Sequence, residues 1–216
     1  MKKVLLLLTI CAASFSAFAT NRYVAKTGDD SNNGLGWGTA KLTITAALTD
    51  CSAGDVVMVA AGTYNEFISI KDGVSVLGGY SATTHARDID MYQTILDGTD
   101  LGKFLVVKYD NDCTNPTLIE GLVLINAEST ADGGGAFIRG NVTLNRCTMR
   151  NCSGNSGGGV YARSKTVGVP AIVSNCLIEL CNATSSGGGA YLYENAEMHN
   201  CIVRGCGGKY GGDERR

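Results

Sequence analysis

Six cysteines fall into three pairs of one spacing: Cys147/Cys152, Cys176/Cys181 and Cys201/Cys206. Thiols in such a pattern can cross-link, ligate a metal, or pack as small apolar groups. Within repeated strands the pairs form two in-register columns, Cys147/Cys176/Cys201 and Cys152/Cys181/Cys206. Column neighbours would have Cα atoms ~4.8 Å apart, which a disulfide permits, but side chains stacked in parallel rarely reach its torsion. Zinc would want histidines clustered with the cysteines, and these are missing. Buried, reduced thiols are therefore the expectation for all six. Cys51 and Cys113 have no assigned partner.

The same repeats carry two outward columns. Phe137, Tyr161 and Tyr191 share one phase, and Arg139, Arg163 and Tyr193 share the next. Aromatic faces stack on sugar rings, and Arg pairs with carboxylate or sulfate oxygens. Over three coils this ribbon would be ~10 Å long. It is the candidate ligand surface; the competing reading is that the stacked rings only stabilise neighbouring strands. The acids Asp97, Glu120, Asp132, Glu179, Glu194 and Glu197 are scattered, and Glu120 is in phase with Asn145, Ser174 and His199 rather than with other acids. No catalytic residue is assigned. Asp29, Asp30, Asn32 and Asn33 could hold Ca²⁺, yet a calcium loop's closing bidentate Glu is absent, so a solvated Asx turn competes.

These residues need a scaffold that repeats. Gly133-Gly134-Gly135, Gly157-Gly158-Gly159 and Gly187-Gly188-Gly189 open successive units 24 and 30 residues apart, and Gly211-Gly212 begins another 24 residues on. After each triplet come three short strands, for example Ala136–Arg139, Val142–Leu144 and Cys147–Met149. Leu144 and Cys147 both point inward, so a corner lies between them. Its residue is Arg146, Asn175, Asn200 or, one unit earlier, Gly121. Gly and Asn suit a left-handed backbone there, and Arg146 is the exception. Such units bury their apolar face only against neighbours, which defines a solenoid. The fold class expected is all-β, a single-stranded right-handed parallel β-helix, with residues 133–212 as its Gly/Cys repeats. Residues 20–55 form an N-terminal cap that includes a short helix over Lys41–Asp50, with Leu42, Ala46 and Leu48 available for burial.

The pattern Asn-Cys-x-Ile-x-x-x-Cys followed by Gly-Gly-Gly-x-Tyr resembles right-handed parallel β-helix proteins of the pectin-lyase-like fold. It is similar to the Gly-Gly-rich repeats of bacterial surface proteins, such as polymorphic outer-membrane proteins and the large β-helix proteins of Bacteroidetes. The resemblance covers nearly all of the chain beyond residue 19 and implies the fold. It extends to the opening segment, where the small helix plugs the first coil. The fold hosts lyases, hydrolases, epimerases and adhesins alike. The enzyme signatures Arg-x-Pro-x-x-Arg, Asn-Thr-Asp, Gly-His-Gly and Asp-Pro-His-Asp are absent from the sequence.

Lys2-Lys3, the apolar run Val4–Ile10 and Ala17-Phe18-Ala19 read as a secretory signal peptide over residues 1–19. No later segment is long and apolar enough to span a membrane. Removing the signal leaves 16 basic against 20 acidic residues, a net charge of −4, which argues against a nucleic-acid partner. The expected location is the cell surface, the outer membrane or the medium of a Gram-negative bacterium. The leading function is a non-enzymatic binding or adhesion module with a carbohydrate ligand. The alternatives are a polysaccharide lyase or related carbohydrate-active enzyme, and a structural spacer. After Gly211-Gly212 the expected strand does not arrive, so a truncated C-terminus, further repeats or a docking partner are expected there.

Overall fold

The computed structural model describes residues 19–102, 105–107, 111–210 and 214–215. The signal-peptide reading falls outside these residues except for Ala19, as do Gly211-Gly212.

Every ladder pair is parallel, and each strand hydrogen-bonds to the equivalent strand one coil away. The architecture is the parallel β-helix that the repeats imply. The first sheet runs through Asn21–Val24, Val56–Ala60, Ser75–Tyr80, Cys113–Glu120, the end of Ala136–Asn145, Ala171–Ser174 and Ala196–His199. The second stacks Gly62–Tyr64, Thr94–Asp97, Leu122–Ile125, Thr148–Arg150, Leu177–Glu179 and Ile202–Arg204. The third joins Ile68–Ser69, Val106–Val107, the start of Ala136–Asn145, Val160–Ser164, Ala190–Glu194 and Glu214–Arg215. The strand expected not to arrive after Gly211-Gly212 is therefore present as Glu214–Arg215, because Ala190-Tyr191 on the coil before supply the ladder partners that its charged sequence does not suggest.

Two features depart from the three-strand coil read in the sequence. Strands expected to be separate at Ala136–Arg139 and Val142–Leu144 are one ten-residue strand, bent where Gly140 has φ 72°. The polar segments after the second cysteine of each pair also pair with one another: Ser153–Ser156, Asn182–Ser186 and Gly207–Tyr210 form a fourth sheet. These segments lack the alternation of apolar residues that marks a strand. Only the coils on either side impose the pairing.

Apolar columns fill the lumen. Val57, Val76, Ile119, Leu144, Val173 and Met198 line the first sheet, and Tyr64, Leu96, Leu124, Met149, Ile178 and Val203 line the second. Both cysteine columns point into this core, and no disulfide links them. Each Sγ donates instead to a carbonyl of the coil before and to one two residues earlier in its own. Cys176 does so to Leu144 O at 3.6 Å and Ser174 O at 3.1 Å, and Cys206 to Ile178 O at 3.8 Å and Arg204 O at 3.5 Å. The thiol of Cys181 is pushed up to about 12, by Cys152 beside it and then by burial. Such a thiol packs and does not attack.

Burial of all six thiols does not hold. Cys147, Cys152, Cys176 and Cys181 are buried, whereas Cys201 and Cys206 are only half-buried and pack against the rim of the core. The reason is their place in the stack. Ile202–Arg204 and Gly207–Tyr210, the strands that follow these two cysteines, are the end members of their sheets among the described residues. Among the described residues each thiol therefore has a coil on one side only, and a column residue needs a coil on both sides to be covered.

The corner after the first sheet uses the left-handed region at Gly121, Arg146, Asn175 and Asn200, with φ of 71°, 48°, 53° and 54°. A second corner of the same kind follows the second sheet. There Asn126, Asn151, Leu180 and Gly205 have φ of 57°, 54°, 56° and 63°. The glycine triplets make the third change of direction. Gly133, Gly157 and Gly187 have positive φ, and the middle glycines face backbone carbonyls of the next coil. A Cβ on Gly158 would overlap the carbonyls of Asn182 and Gly188. Any side chain there would hold the coils apart.

At the N-terminal end, α1 (Ile44–Thr49) turns Ile44, Ala47 and Leu48 into the core. It is shorter than the Lys41–Asp50 segment expected, and its buried residues differ from Leu42, Ala46 and Leu48 except at Leu48. The Thr43 side chain caps it, and the Glu66 carboxylate receives the N–H groups of Ile44 and Thr45 at 2.9 Å each. The true start is therefore Thr43, which shifts the buried phase.

Two outcomes follow. Thiol titration of the denatured chain should find all six column cysteines reduced; three disulfides among them would contradict the packing. Leu180 is a branched, exposed residue in a left-handed corner, so Leu180→Asn should raise stability by about 1 kcal/mol, seen as a higher denaturant midpoint.

Candidate functional site

The register puts the expected columns together. Phe137, Tyr161 and Tyr191 are in line, as are Arg139, Arg163 and Tyr193. Their phase away from the lumen also holds, since Ala136 and Ile138 on either side of Phe137 lie in the main core while the rings form a cluster of their own. Their expected exposure does not hold. Phe137 is 8% and Tyr161 7% exposed. Phe137 stacks on Tyr161 at 4.9 Å and 8°, and Tyr161 on Tyr191 at 5.4 Å and 14°. Ring spacing matches coil spacing, so each ring covers its neighbour's face. Along the stack a sugar ring would find the edges of Phe137 and Tyr161, not their faces.

The cations beside them are also engaged. Arg139 donates from Nε to Asp112 Oδ1 at 3.0 Å, and the other oxygen of Asp112 receives the Lys165 N–H at 2.7 Å. Arg163 lies half-buried against the Tyr161 hydroxyl. Burial pushes that hydroxyl up, and the nearby Asp132 carboxylate adds to the effect. Tyr193 remains exposed at 47%. This ribbon is a second, external packing column.

The residues read as a calcium loop are tied into turns. Asp29 receives the Ser31 N–H and hydroxyl, and Asp30 receives the N–H groups of Leu42 and Thr43. Asn32 donates to Ala40 O, and Asn33 receives the Leu35 N–H. Among the described residues no group of three His, Cys, Asp or Glu side chains is placed to hold a metal ion, the half-buried Cys201 and Cys206 included.

Most acids have structural partners too. Glu120 pairs with Arg87 at 3.0 Å and receives the Asn145 amide at 3.0 Å. It lies in line with Asn145, Ser174 and His199, as the phase required. His199 meets Glu197 at 2.9 Å on the exposed face. Burial pushes Asp97 up, but hydrogen bonds from Thr99 and Asn126 outweigh it and hold the carboxyl below its ordinary value.

Two of the exceptions meet at the second corner. A cleft of about 710 Å³ is lined by Thr99, Asp100, Asn126, Glu128, Asn151, Ser153 and Asn182. It crosses successive coils, because Glu128 sits over Ser153 and Ser153 over Asn182. The corner amides are held in a fixed orientation: Asn151 donates to Asn126 at 2.9 Å, and Asn126 to Asp97 at 3.1 Å. The exposed carboxylates of Asp100 and Glu128 have no hydrogen-bond or ion partner among the described residues. Oriented amides beside unengaged carboxylates and hydroxyls form a surface that can exchange hydrogen bonds with a polyhydroxylated ligand. The sequence pattern did not single out residues 99–102 or the second corner. The recurrence of Asn126 and Asn151 25 residues apart was the available signal.

The architecture defines the class of protein, a parallel β-helix. No family model matches the chain, and no curated protein matches it. Among solved structures it is similar to a rhamnogalacturonan lyase at 14% identity and a TM-score of 0.36, over 90% of this chain. The chain spans 62% of that lyase. A likeness of that size says nothing about what this chain binds.

The packed ribbon makes its own prediction. Tyr161→Ala should cost about 3 kcal/mol of stability through the cavity left between two rings. Chemical denaturation measures this; an unchanged midpoint would show that the rings are not a packing column.

Proposed function

We propose that the chain is a non-catalytic, glycan-binding β-helix module of an exported bacterial surface protein. The observation that carries this reading is the cleft at the second corner, where side chains with spare hydrogen-bonding capacity line up over several coils. A repeating scaffold presents repeating donors and acceptors, and a polysaccharide is a repeating ligand. Export rests on the residue pattern of positions 1–19.

Four carboxyl groups outside the cleft lining are held charged by structural hydrogen bonds. Asp29, Asp72, Asp97 and Glu179 all lie below their ordinary values. A general acid working near neutrality needs the opposite shift. A second reading, a carbohydrate-active enzyme, rests on Asp100 and Glu128 facing one cleft without partners.

A panel of neutral and acidic polysaccharides separates the readings. The full chain should retain at least one glycan in affinity electrophoresis without releasing shorter or unsaturated products. Glu128→Ala with Asn182→Ala should weaken retention about tenfold while the melting temperature stays within a few degrees, since both side chains are exposed and neither sits in a left-handed corner. Product formation would establish the enzyme, and retention of no glycan would leave the chain a spacer.

A further inference from the structure

A preformed cationic row flanks the cleft. Arg150, Glu179 and Arg204 are in register on three successive strands of the second sheet, on the face away from the lumen. Each directly precedes a residue of the second corner, Asn151, Leu180 or Gly205. Glu179 is buried between the two arginines, its side chain only 9% exposed, while theirs are 51% and 65% exposed. Arg150 Nε donates to Oε1 at 2.6 Å; Arg204 donates to Oε2 from Nε at 2.8 Å and Nη2 at 2.6 Å. Hydrogen bonds first from Arg204 and then from Arg150 hold the Glu179 carboxyl below its ordinary value, so it stays charged.

This is more than an ion-pair ladder, because the charges do not cancel. One carboxylate sits between two guanidinium groups, and the row keeps one net positive charge on a chain of net charge −2. The donors are not exhausted either. A guanidinium carries five N–H groups; Arg150 spends one on Glu179 and Arg204 two. The rest have no partner among the described residues. Glu179 acts as a clamp: it fixes both long side chains before any ligand arrives and lowers the entropy lost on binding. Two strand spacings put the arginine Cα atoms about 10 Å apart, and the shared carboxylate draws their guanidinium groups closer together than that. Beside them on the same face run Thr148, Leu177 and Ile202, the last 60% exposed. A flat apolar strip next to spaced cations suits a chain of rings whose oxyanion groups project to one side.

We propose that Arg150 and Arg204, clamped by Glu179, form an anion-recognition site for a glycan whose sulfate or carboxylate groups recur along the polymer. The proposal rests on the glycan-binding reading and extends it from the corner cleft onto the second sheet. Glu179 is a positioning residue; the two arginines make the contact.

The test compares the full chain with Arg150→Gln/Arg204→Gln, Arg150→Lys/Arg204→Lys and Glu179→Gln, using heparin, chondroitin sulfate, polygalacturonate, a neutral glucan and duplex DNA as probes. Circular dichroism melts confirm that each variant is folded. The wild type should bind one of the acidic glycans, with affinity falling as salt rises. The Gln pair should lose at least tenfold. The Lys pair keeps the charge and loses the fork, so it should also weaken binding. Glu179→Gln adds net positive charge, so attraction by charge alone would strengthen binding, whereas a clamped site weakens severalfold. Tighter binding by Glu179→Gln, wild-type binding by the Lys pair, or equal affinity for DNA would each overturn the proposal. Binding of the neutral glucan alone would overturn it and leave the glycan reading standing; binding of no glycan would remove both. Repeating the measurement at pH 3 separates sources, because sulfate keeps its charge and polygalacturonate loses much of its own.

Discussion

A coil of this protein cannot stand alone. It holds a few apolar side chains on each short strand and has no second layer to cover them, so the coil beside it must supply both the hydrogen bonds and the core. The strand spacing of ~4.8 Å then governs every column, inside and out. It is most demanding at the glycine triplets, where backbone meets backbone. Gly158 lies against the carbonyls of Asn182 and Gly188, and the first glycine of each triplet also needs a positive φ. Two separate demands thus select the same residue type at one bend.

The rest of the cross-section adapts to that spacing. In the lumen, cysteine is small enough to stack on itself without gaps. Its thiol can also donate weakly to carbonyls near the corners, where strand hydrogen bonding stops. At the corners, asparagine tolerates the left-handed backbone and its amide reaches the amide one coil away. Asn200 donates to Asn175 at 2.7 Å and Asn175 to Asn145 at 2.8 Å. Outside, rings at the same spacing stack face to face. Like residues stack on like in each case because the coils are in register.

That rule also separates the columns that stabilise from those able to bind. A column whose members satisfy one another, such as Phe137/Tyr161/Tyr191, has little left for a ligand. A column of unlike residues leaves a remainder. At the second corner this is the unengaged carboxylates and the spare hydrogen-bonding capacity of the amides; beside it, Arg150 and Arg204 share one Glu179. Both lie on adjoining surfaces of the same coils.

The repeat, the inward columns, both cysteine ladders and the corner at Arg146, Asn175 and Asn200 are legible in the amino-acid sequence alone. They follow from local periodicity, and a period is visible in one dimension. The phase of the aromatic column is legible too, but phase tells only which way a side chain leaves the backbone. Whether a residue is covered depends on what stands ~4.8 Å away on the next coil, 24 or 30 residues distant in sequence. Identical phase thus leaves Cys152 and Cys181 buried and Cys206 half-buried. The folded chain was needed to show that Tyr161 is covered, that polar segments such as Ser153–Ser156 pair as a fourth sheet, and that Arg150, Glu179 and Arg204 meet. Each depends on the register between coils, which loops of unequal length set and which no single repeat contains.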